Sequence, residues 1–308
     1  MKWNNHKFIF NVSGNGNWMN SHAQCPVAIE LDGYIRVFFS SRVRRNLALP
    51  TYVDLDSDSL KVLKVHTKPI LDCGEAGSFD NHGIFPVFIW KEVDAIYLYY
   101  VGWYRGSDIN YHNAVGIAAS YDNGDSFVKL FPGPIMPPLK NEPYACRSLW
   151  IEKIVDQYVM VYASDYGMYK TEKTNEPVYD LKVAMSKDLI NWVRNGVSVV
   201  KHGYFGEAIA RPTILKDNSY HMWFSYRGSK DFRRGKDAYK IGYAKSDDMK
   251  TWVRTDESSG FSPSNQEWDQ EMQTYPYIIK LYDKTLMFYN GNDFGATGFG
   301  CVESSNNF

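Results

Sequence analysis

Five strand–turn–strand segments recur along the chain, and this repeat limits the fold more than any other feature of the sequence. The clearest segment runs from 206 to 228, where two apolar and aromatic runs flank a turn at Asp217 and Asn218. The first strand of each segment begins at a marker residue, which is proline in every segment except the third. The markers are Pro26, Pro86, Ser148, Pro212 and Pro276, at steps of 60, 62, 64 and 64 residues. Such regular spacing is typical of a repeat architecture.

A second pair of short strands follows the hairpins. In residues 114–130, 181–196 and 240–256 a strand of small residues leads into a turn rich in Ser and Asp, and then into a strand with Trp or Phe. Residues 49–65 carry a weaker version. Four strands in a unit of about 60 residues describe a propeller blade, although common propeller repeats are shorter, at roughly 40 to 50 residues.

The last unit is one strand short, and the N-terminus offers a strand that could complete it. Residues 7–12 alternate in the pattern of the other fourth strands. Because an open ring would leave unpaired strand edges, we expect this strand to close it. The prediction is an all-β fold, a five-bladed β-propeller of four-stranded antiparallel blades. It forms one domain over residues 1–308, with first strands beginning near 26, 86, 148, 212 and 276.

Composition excludes several classes of partner. The chain has 34 basic and 35 acidic residues, so there is no electrostatic case for binding nucleic acid or an anionic membrane. No apolar signal segment or membrane-spanning run is present, which leads us to expect a soluble, cytoplasmic protein. The four cysteines match no zinc spacing, so we expect reduced thiols and no metal or other cofactor. The aromatic content of 16% suits both β packing and sugar binding.

Polar residues gather at two places in each repeat, just before the marker and just after the second strand. In a propeller these two places lie on the same face, so their side chains should converge on one concave site. Trp103 lies where a platform for a sugar ring would. The candidate site residues are His22, Gln24, Arg42, Asp80, His82, Trp103, Glu142, Arg147, Asp165, Glu207, Arg211, Arg227, Glu271 and Asp293.

Several of these residues allow two readings. His22 and His82 share one repeat offset, which suits either a structural pair or ligand contacts. Arg147 and Arg211 share the offset directly before the marker, so they could link blades through carboxylates or bind substrate. Glu207 follows a glycine and belongs to no strand pattern. Since packing does not require a carboxylate there, we expect it to be functional.

The sequence from 210 to 228, ARPTILKDNSYHMWFSYRG, together with SKDLINWV (186–193) and SDDMKTWV (246–253), resembles the five-bladed propeller glycoside hydrolases. That superfamily includes arabinanases, β-xylosidases, invertases, levanases and mannoside phosphorylases. The resemblance implies a carbohydrate-active enzyme that acts on a glycosidic bond of a polysaccharide or smaller glycan. It also implies a fourth-blade glutamate as general acid, and Glu207 falls at that place.

Two positions depart from the superfamily pattern. Ser21 follows Trp18-Met19-Asn20 where the resemblance implies aspartate, and Ser148 follows Arg147 where an Arg-Asp-Pro element would supply another. Three readings stay open. Glu207 could work with Asp80 as a displaced base in a hydrolase. The Arg and His residues could bind phosphate or a nucleotide sugar in a phosphorylase or related enzyme. Alternatively, the protein is a glycan-binding propeller without catalysis. The superfamily includes calcium-containing members, but no metal-loop spacing occurs here.

Overall fold

A computed structural model describes the chain except residues 1, 15–17, 108, 110, 172–174, 265 and 306–308, and the side chain of residue 45. Strands account for nearly all of its regular structure. They are β1 (Asn4–Phe10), β2 (Ser21–Leu31), β3 (Tyr34–Arg42), β4 (Ala48–Asp56), β5 (Val62–Val65), β6 (Gly83–Lys91), β7 (Ile96–Tyr104), β8 (His112–Ser120), β9 (Val128–Lys129), β10 (Cys146–Ile154), β11 (Gln157–Lys170), β12 (Asn175–Ser186), β13 (Val193–Ser198), β14 (Ala208–Lys216), β15 (Tyr220–Arg227), β16 (Lys240–Ser246), β17 (Val253–Arg254), β18 (Thr274–Lys280), β19 (Lys284–Asn290) and β20 (Phe299–Ser305).

The strands form five antiparallel units of four. Three units are separate sheets, ordered β10-β11-β12-β13, β14-β15-β16-β17 and β18-β19-β20-β1. The units β2-β3-β4-β5 and β6-β7-β8-β9 are joined by a single parallel bridge between Ala48 and Gly83. The inner strands β2, β6, β10, β14 and β18 contact one another in cyclic order, with β18 returning to β2. The predicted all-β propeller is therefore confirmed.

The N-terminal strand closes the ring, as predicted, although it spans Asn4–Phe10 rather than residues 7–12. It pairs antiparallel with β20 as the outer strand of the last blade. Its anchor is Phe10, a buried side chain whose ring lies 5.3 Å from that of Phe39 in the first blade and 6.0 Å from that of Phe299. The outer strand thus joins the last blade to the first.

Every inner strand carries a β-bulge that contains its marker residue or, in the second blade, directly follows it. The register with the second strand shifts between Gln24 and Val27 in the first blade, and at matching positions in the others. Proline suits such a position because it has no N–H to contribute to the ladder. The sequence repeat of proline markers is thus explained by a repeated break in hydrogen bonding.

Side chains from the preceding blade satisfy backbone N–H groups that the bulges release. The residue directly before the marker donates its N–H to an Asn or Ser oxygen in three blades, and in blades 1, 4 and 5 that residue has a positive φ of 55–62°. The pairs are Cys25 with Asn290, Arg211 with Ser148 and Tyr275 with Ser225, at 2.7, 2.7 and 2.9 Å. A buried N–H without a partner would destabilise the fold, so these bonds hold the bulges in place.

The third blade departs from the predicted hairpin length. We expected its second strand to end near Ala163, but β11 and β12 continue pairing as far as Lys170 and Asn175. The result is a hairpin extension, formed by residues 165–171 and 175–180, that lengthens the second and third strands of this blade.

Replacing Phe10 with alanine should lower the free energy of unfolding by about 3–5 kcal/mol, the usual cost of removing a buried phenylalanine. The matched control is Phe8→Ala in the same strand, where the ring is exposed and lies 5.6 Å from that of Trp268. That variant should lose about 1 kcal/mol or less. Urea denaturation of both proteins measures the difference. Equal losses would contradict the role of Phe10 in closing the ring.

Candidate functional site

A cavity of about 400 Å³ opens where the five inner strands converge. The residue directly before the marker lines it in every blade, because each bulge turns that side chain toward the axis. These residues are Cys25, Phe85, Arg147, Arg211 and Tyr275. The repeat therefore builds one concave site from five equivalent positions.

The cavity wall is strongly cationic. Five arginines line it, and among the described residues no aspartate or glutamate does. The five are Arg42, Arg105, Arg147, Arg211 and Arg233. Two of them are neutralised from behind by carboxylates: Asp165 binds Arg147 at 2.6 and 2.7 Å, and Glu176 binds Arg233 at 2.8 and 3.2 Å.

Arg211 is a buried cation without a carboxylate partner in the described part of the chain. Its side chain is 4% exposed. The guanidinium donates only to backbone carbonyl groups, to Pro86 at 2.9 Å and to Pro26 at 3.4 Å, and lies 5.6 Å from the ring centroid of Tyr275. Buried charges in proteins are normally paired, so this arrangement favours a negatively charged ligand.

Arg42 adds a second cation that has no carboxylate partner among the described residues. It stands at the end of β3, 5.2 Å from the ring of Phe85 and 5.4 Å from that of Trp103. Its guanidinium also donates to the Gln24 side-chain oxygen at 3.2 Å. Burial lowers the pKa of Arg42, so its charge would be stabilised by an anion.

Arg147 is fixed in orientation by its neighbours. The Asp165 carboxylate holds it from one side, and its guanidinium lies 4.8 Å from the ring centroid of Tyr179 and 5.2 Å from that of Tyr111. Burial opposes its charge, but the attraction of Asp165 keeps the pKa of Arg147 above its ordinary value. It is a permanent, preorganised cation at the cavity wall.

Two tyrosines of the cavity wall share a hydrogen bond. The hydroxyl groups of Tyr179 and Tyr239 contact each other, and the Nε–H of Arg227 donates to both, at 3.1 and 3.2 Å. One phenolic hydrogen lies between the two oxygens, and the other has no acceptor among the described residues. Burial raises the pKa of Tyr239 well above its ordinary value, so the pair keeps a hydrogen to donate.

The two histidines have different surroundings. His22 lines the cavity, and burial together with the positive charge of Arg42 lowers its pKa to about 4, so it is neutral at pH 7. His82 lies outside the lining, where its Nδ1 bonds the Asn81 side-chain oxygen at 2.6 Å and its ring lies 5.8 Å from that of Trp103. The shared repeat offset therefore does not give the two residues one role.

Glu207 does not line the cavity. Its fully buried carboxylate accepts two hydrogen bonds from Arg254, both 2.8 Å long, and a third from the Gly203 N–H at 2.6 Å. Arg254 belongs to β17, the outer strand of the same blade. Contrary to our reading of the sequence, packing does require a carboxylate at this position.

The same arrangement recurs in three other blades. In each, a buried carboxylate six or seven residues before the marker binds a tyrosine of the second strand, and in blades 2 and 3 it also faces a cation of the outer strand. The sets are Asp80 with Tyr100 and Lys129, Glu142 with Tyr162 and Arg194, and Asp269 with Tyr289. We expected Asp80 and Glu142 on the rim, but they join strands within a blade and do not line the cavity.

Of the fourteen candidate residues, six line the cavity: His22, Gln24, Arg42, Trp103, Arg147 and Arg211. Asp165 and Arg227 contact lining side chains from behind. Glu271 is exposed, and Asp293 binds Arg234 at 3.2 Å beside the lining residue Phe294. Sequence reasoning missed four tyrosines of the wall, which are Tyr111, Tyr179, Tyr239 and Tyr275. Tyr275 could have been predicted, because it stands directly before its marker residue, as Arg147 and Arg211 do.

Other predicted features can be compared with the same structure. All four cysteines are free, and burial raises the pKa of Cys25 to about 11. Across the described residues, no group of three or more His, Cys, Asp or Glu side chains could hold a metal ion. None of the helices in that part of the chain has the length and apolar character needed to cross a membrane.

Comparison with solved structures identifies the fold. One glycoside hydrolase aligns with a TM-score of 0.72 and 17% identity over 97% of this chain and 92% of that one. A structure from the GH130 family of mannoside phosphorylases, described as containing hydrolases of β-1,2 mannosidic linkages, gives 0.70 and 17% over 94% and 86%. The BT0996 RGII complex gives 0.71 and 16% over 98% and 93%. Likeness at these identities establishes a common fold.

Comparison with curated sequences identifies closer relatives. No protein-family model matches the chain. The uncharacterized proteins Rv1502 and MT1551 of two Mycobacterium tuberculosis strains are each 31% identical to it over 310 residues, which is 99% of this chain and all of theirs. The chain therefore belongs to the family of Rv1502, and it has the propeller fold of glycoside hydrolases and mannoside phosphorylases.

Proposed function

We propose that the protein is a carbohydrate-active enzyme whose axial cavity binds a phosphate-bearing reactant, as a glycoside phosphorylase does. The observation that carries this proposal is the buried guanidinium of Arg211, which has no carboxylate partner among the described residues. A phosphate group would supply the missing negative charge and accept several N–H donors at once. Arg42 and Arg147 line the same cavity and could share the anion.

The remaining wall suits a sugar. Trp103 and Phe85 offer apolar ring surface, and the amides of Gln24 and Asn113 offer hydrogen bonds. Aromatic surface with a few fixed polar groups is the usual composition of a small-molecule site. The cavity volume of about 400 Å³ accommodates a sugar unit together with a phosphate group.

Phosphorolysis would explain why no described carboxylate is needed at the wall. A phosphate oxygen forms a bond to the anomeric carbon, the bond from that carbon to the leaving oxygen breaks, and the leaving oxygen takes up a proton. In a hydrolase one carboxylate must attack or activate water, whereas phosphate is itself the nucleophile. The phosphate reactant enters with a proton that it can pass to the leaving oxygen, and the hydroxyl pair of Tyr179 and Tyr239 can donate a hydrogen bond to that oxygen.

A propeller that binds an anionic glycan without catalysis is the second candidate. The same absence of a described lining carboxylate favours it, since a receptor needs no proton donor. Turnover separates the two. The protein is incubated with inorganic phosphate and a panel of oligosaccharides that includes β-1,2-linked mannobiose, and sugar 1-phosphate is followed by ³¹P NMR. Product formation supports the enzyme, and anion binding without product supports the receptor.

Replacing Arg211 with glutamine should weaken phosphate binding about 10- to 100-fold, the usual effect of losing charge-assisted hydrogen bonds. Isothermal titration with inorganic phosphate measures the change. The matched control is Arg234→Gln, which removes the same charge from an exposed side chain outside the lining. Equal affinities in wild type, Arg211→Gln and Arg234→Gln would overturn the anion site.

Replacing Glu207 with glutamine should lower the free energy of unfolding by about 3 kcal/mol, because it breaks a buried ion pair. Phosphate affinity should stay within twofold of wild type, since Glu207 lies outside the cavity lining. Glu257→Gln, an exposed change in the same blade, is the stability control and should cost less than about 0.5 kcal/mol.

The same variant tests the general-acid role that the superfamily resemblance implies. If Glu207→Gln unfolds like wild type and binds phosphate but loses turnover, Glu207 is the proton donor and the structural role is wrong. If stability falls while turnover per folded molecule is retained, the proton donor lies elsewhere.

A further inference from the structure

We propose a second carbohydrate-binding site, outside the cavity, on an aromatic shelf formed by Tyr166, Tyr169, His202, Tyr204 and Phe205. Its ligand is a neutral glycan chain. The shelf joins the hairpin extension of the third blade to the loop 201–207 that precedes β14. The inference does not depend on the phosphorylase proposal.

The rings of the shelf are unusually exposed for aromatic side chains. Phe205 is 93% exposed, and Tyr204 and Tyr166 are also exposed. The ring centroid of Phe205 lies 5.8 Å from that of Tyr169, and Tyr166 lies 5.0 Å from His202. Grouped exposed apolar surface marks interaction sites, whereas single exposed residues are ordinary.

Other highly exposed apolar residues lie in turns. Val93, Val155 and Tyr282 are in the turn between the first and second strand of three different blades. These turns lie at the end of the blade opposite the loop that precedes the marker residue. The shelf is thus distinguished by grouping as well as by exposure.

The loop that carries Phe205 is anchored along its length. Glu207 accepts the Gly203 N–H, and Arg254 donates from one side to Glu207 and to the Lys201 carbonyl at 3.2 Å. Near the tip, the Gly206 carbonyl accepts the Ser229 hydroxyl hydrogen at 2.6 Å. The exposure of Phe205 therefore belongs to a fixed loop, and a ligand would find the ring already in place.

Gly206 shows that the loop backbone and the hairpin fit closely. It has φ of +81°, and a Cβ there would lie 2.7 Å from the ring of Tyr169. Only glycine satisfies both conditions. The close approach joins Tyr169 to the loop and makes the two segments one surface.

A buried acceptor lies beside the rings. Asp180 is 6% exposed, and its Oδ1 has no hydrogen-bond partner among the described residues; the nearest cation, Lys182, is 3.9 Å away. Asp180 directly follows Tyr179, whose backbone carbonyl oxygen lies 3.5 Å from Nε2 of the shelf residue His202. An unpartnered buried carboxylate oxygen is costly, and a sugar hydroxyl that reached it would remove part of that cost.

The composition of the shelf favours sugar over protein or nucleic acid. Its five members are aromatic, with phenolic hydroxyls at their edges and no aliphatic side chain among them. Flat rings stack on the C–H face of a pyranose, while a protein partner would usually also meet aliphatic side chains. The net charge of −1 and the acidic Asp180 disfavour a polyanion.

Affinity electrophoresis tests the shelf. Wild-type protein is run in native gels that contain soluble α-mannan, arabinan or β-glucan, and we expect retardation in at least one. The double variant Tyr204→Ala, Phe205→Ala should weaken that binding at least tenfold, because stacking on both rings is lost. Asp180→Asn should weaken it less. Circular dichroism confirms that each variant is folded.

Two controls separate the shelf from ordinary exposure and from the cavity. Tyr282→Ala removes a fully exposed tyrosine elsewhere, and Arg211→Gln disables the anion site; both should be retarded like wild type. Retardation that is lost in Arg211→Gln but kept in the double variant would overturn the shelf, and so would a wild type that none of the three polysaccharides retards. Loss only in the double variant would support the shelf even if phosphate binding proved wrong.

Discussion

A break in the ladder between the first and second strand of each blade determines how the centre of this molecule is built. In a continuous strand, alternate side chains point into the blades, and none is obliged to face the axis. The bulge at each marker redirects one residue, and the five redirected residues make the cavity wall. The released N–H groups are bonded by Asn290, Ser148 and Ser225 of neighbouring blades. The hydrogen bonds that join these neighbouring blades therefore also hold the cavity wall in place.

The buried carboxylates illustrate how repeat position separates structure from chemistry. Four blades have a buried carboxylate at nearly the same place, and each carboxylate is bonded by partners within its own blade. These residues are Asp80, Glu142, Glu207 and Asp269. A carboxylate that recurs in four blades and is bonded within each of them meets a structural need of the blade. The cavity side chains behave differently, because the five equivalent positions hold a cysteine, a phenylalanine, a tyrosine and two arginines. Different side chains at a structurally repeated position indicate a binding site.

The sequence repeat was sufficient to predict the fold, because each repeat shows the same pattern of strands. It predicted the markers and the closing strand, and six of its candidate site residues line the cavity. It did not predict the partners that bond Asp80, Glu142 and Glu207 within their own blades. Their partners, such as Arg254, lie about fifty residues away in an outer strand, and one sequence does not reveal that pairing. Tyr179 was missed for a related reason: the extension of β11 and β12 that carries it has no counterpart in the other blades.

The central arginine links the proposed function to the stability of the ring. Arg211 lies near the axis, and in the described part of the chain its guanidinium donates hydrogen bonds to carbonyl oxygens and to no carboxylate, an arrangement that is less favourable than an ion pair. It can persist because the surrounding ring is stabilised by five packed blades and by the Arg211 N–H bond to Ser148. An anion that reaches the cavity would relieve this cost, and part of its affinity would come from that relief. The propeller thus supplies the rigid frame that holds an unfavourable charge ready for its ligand.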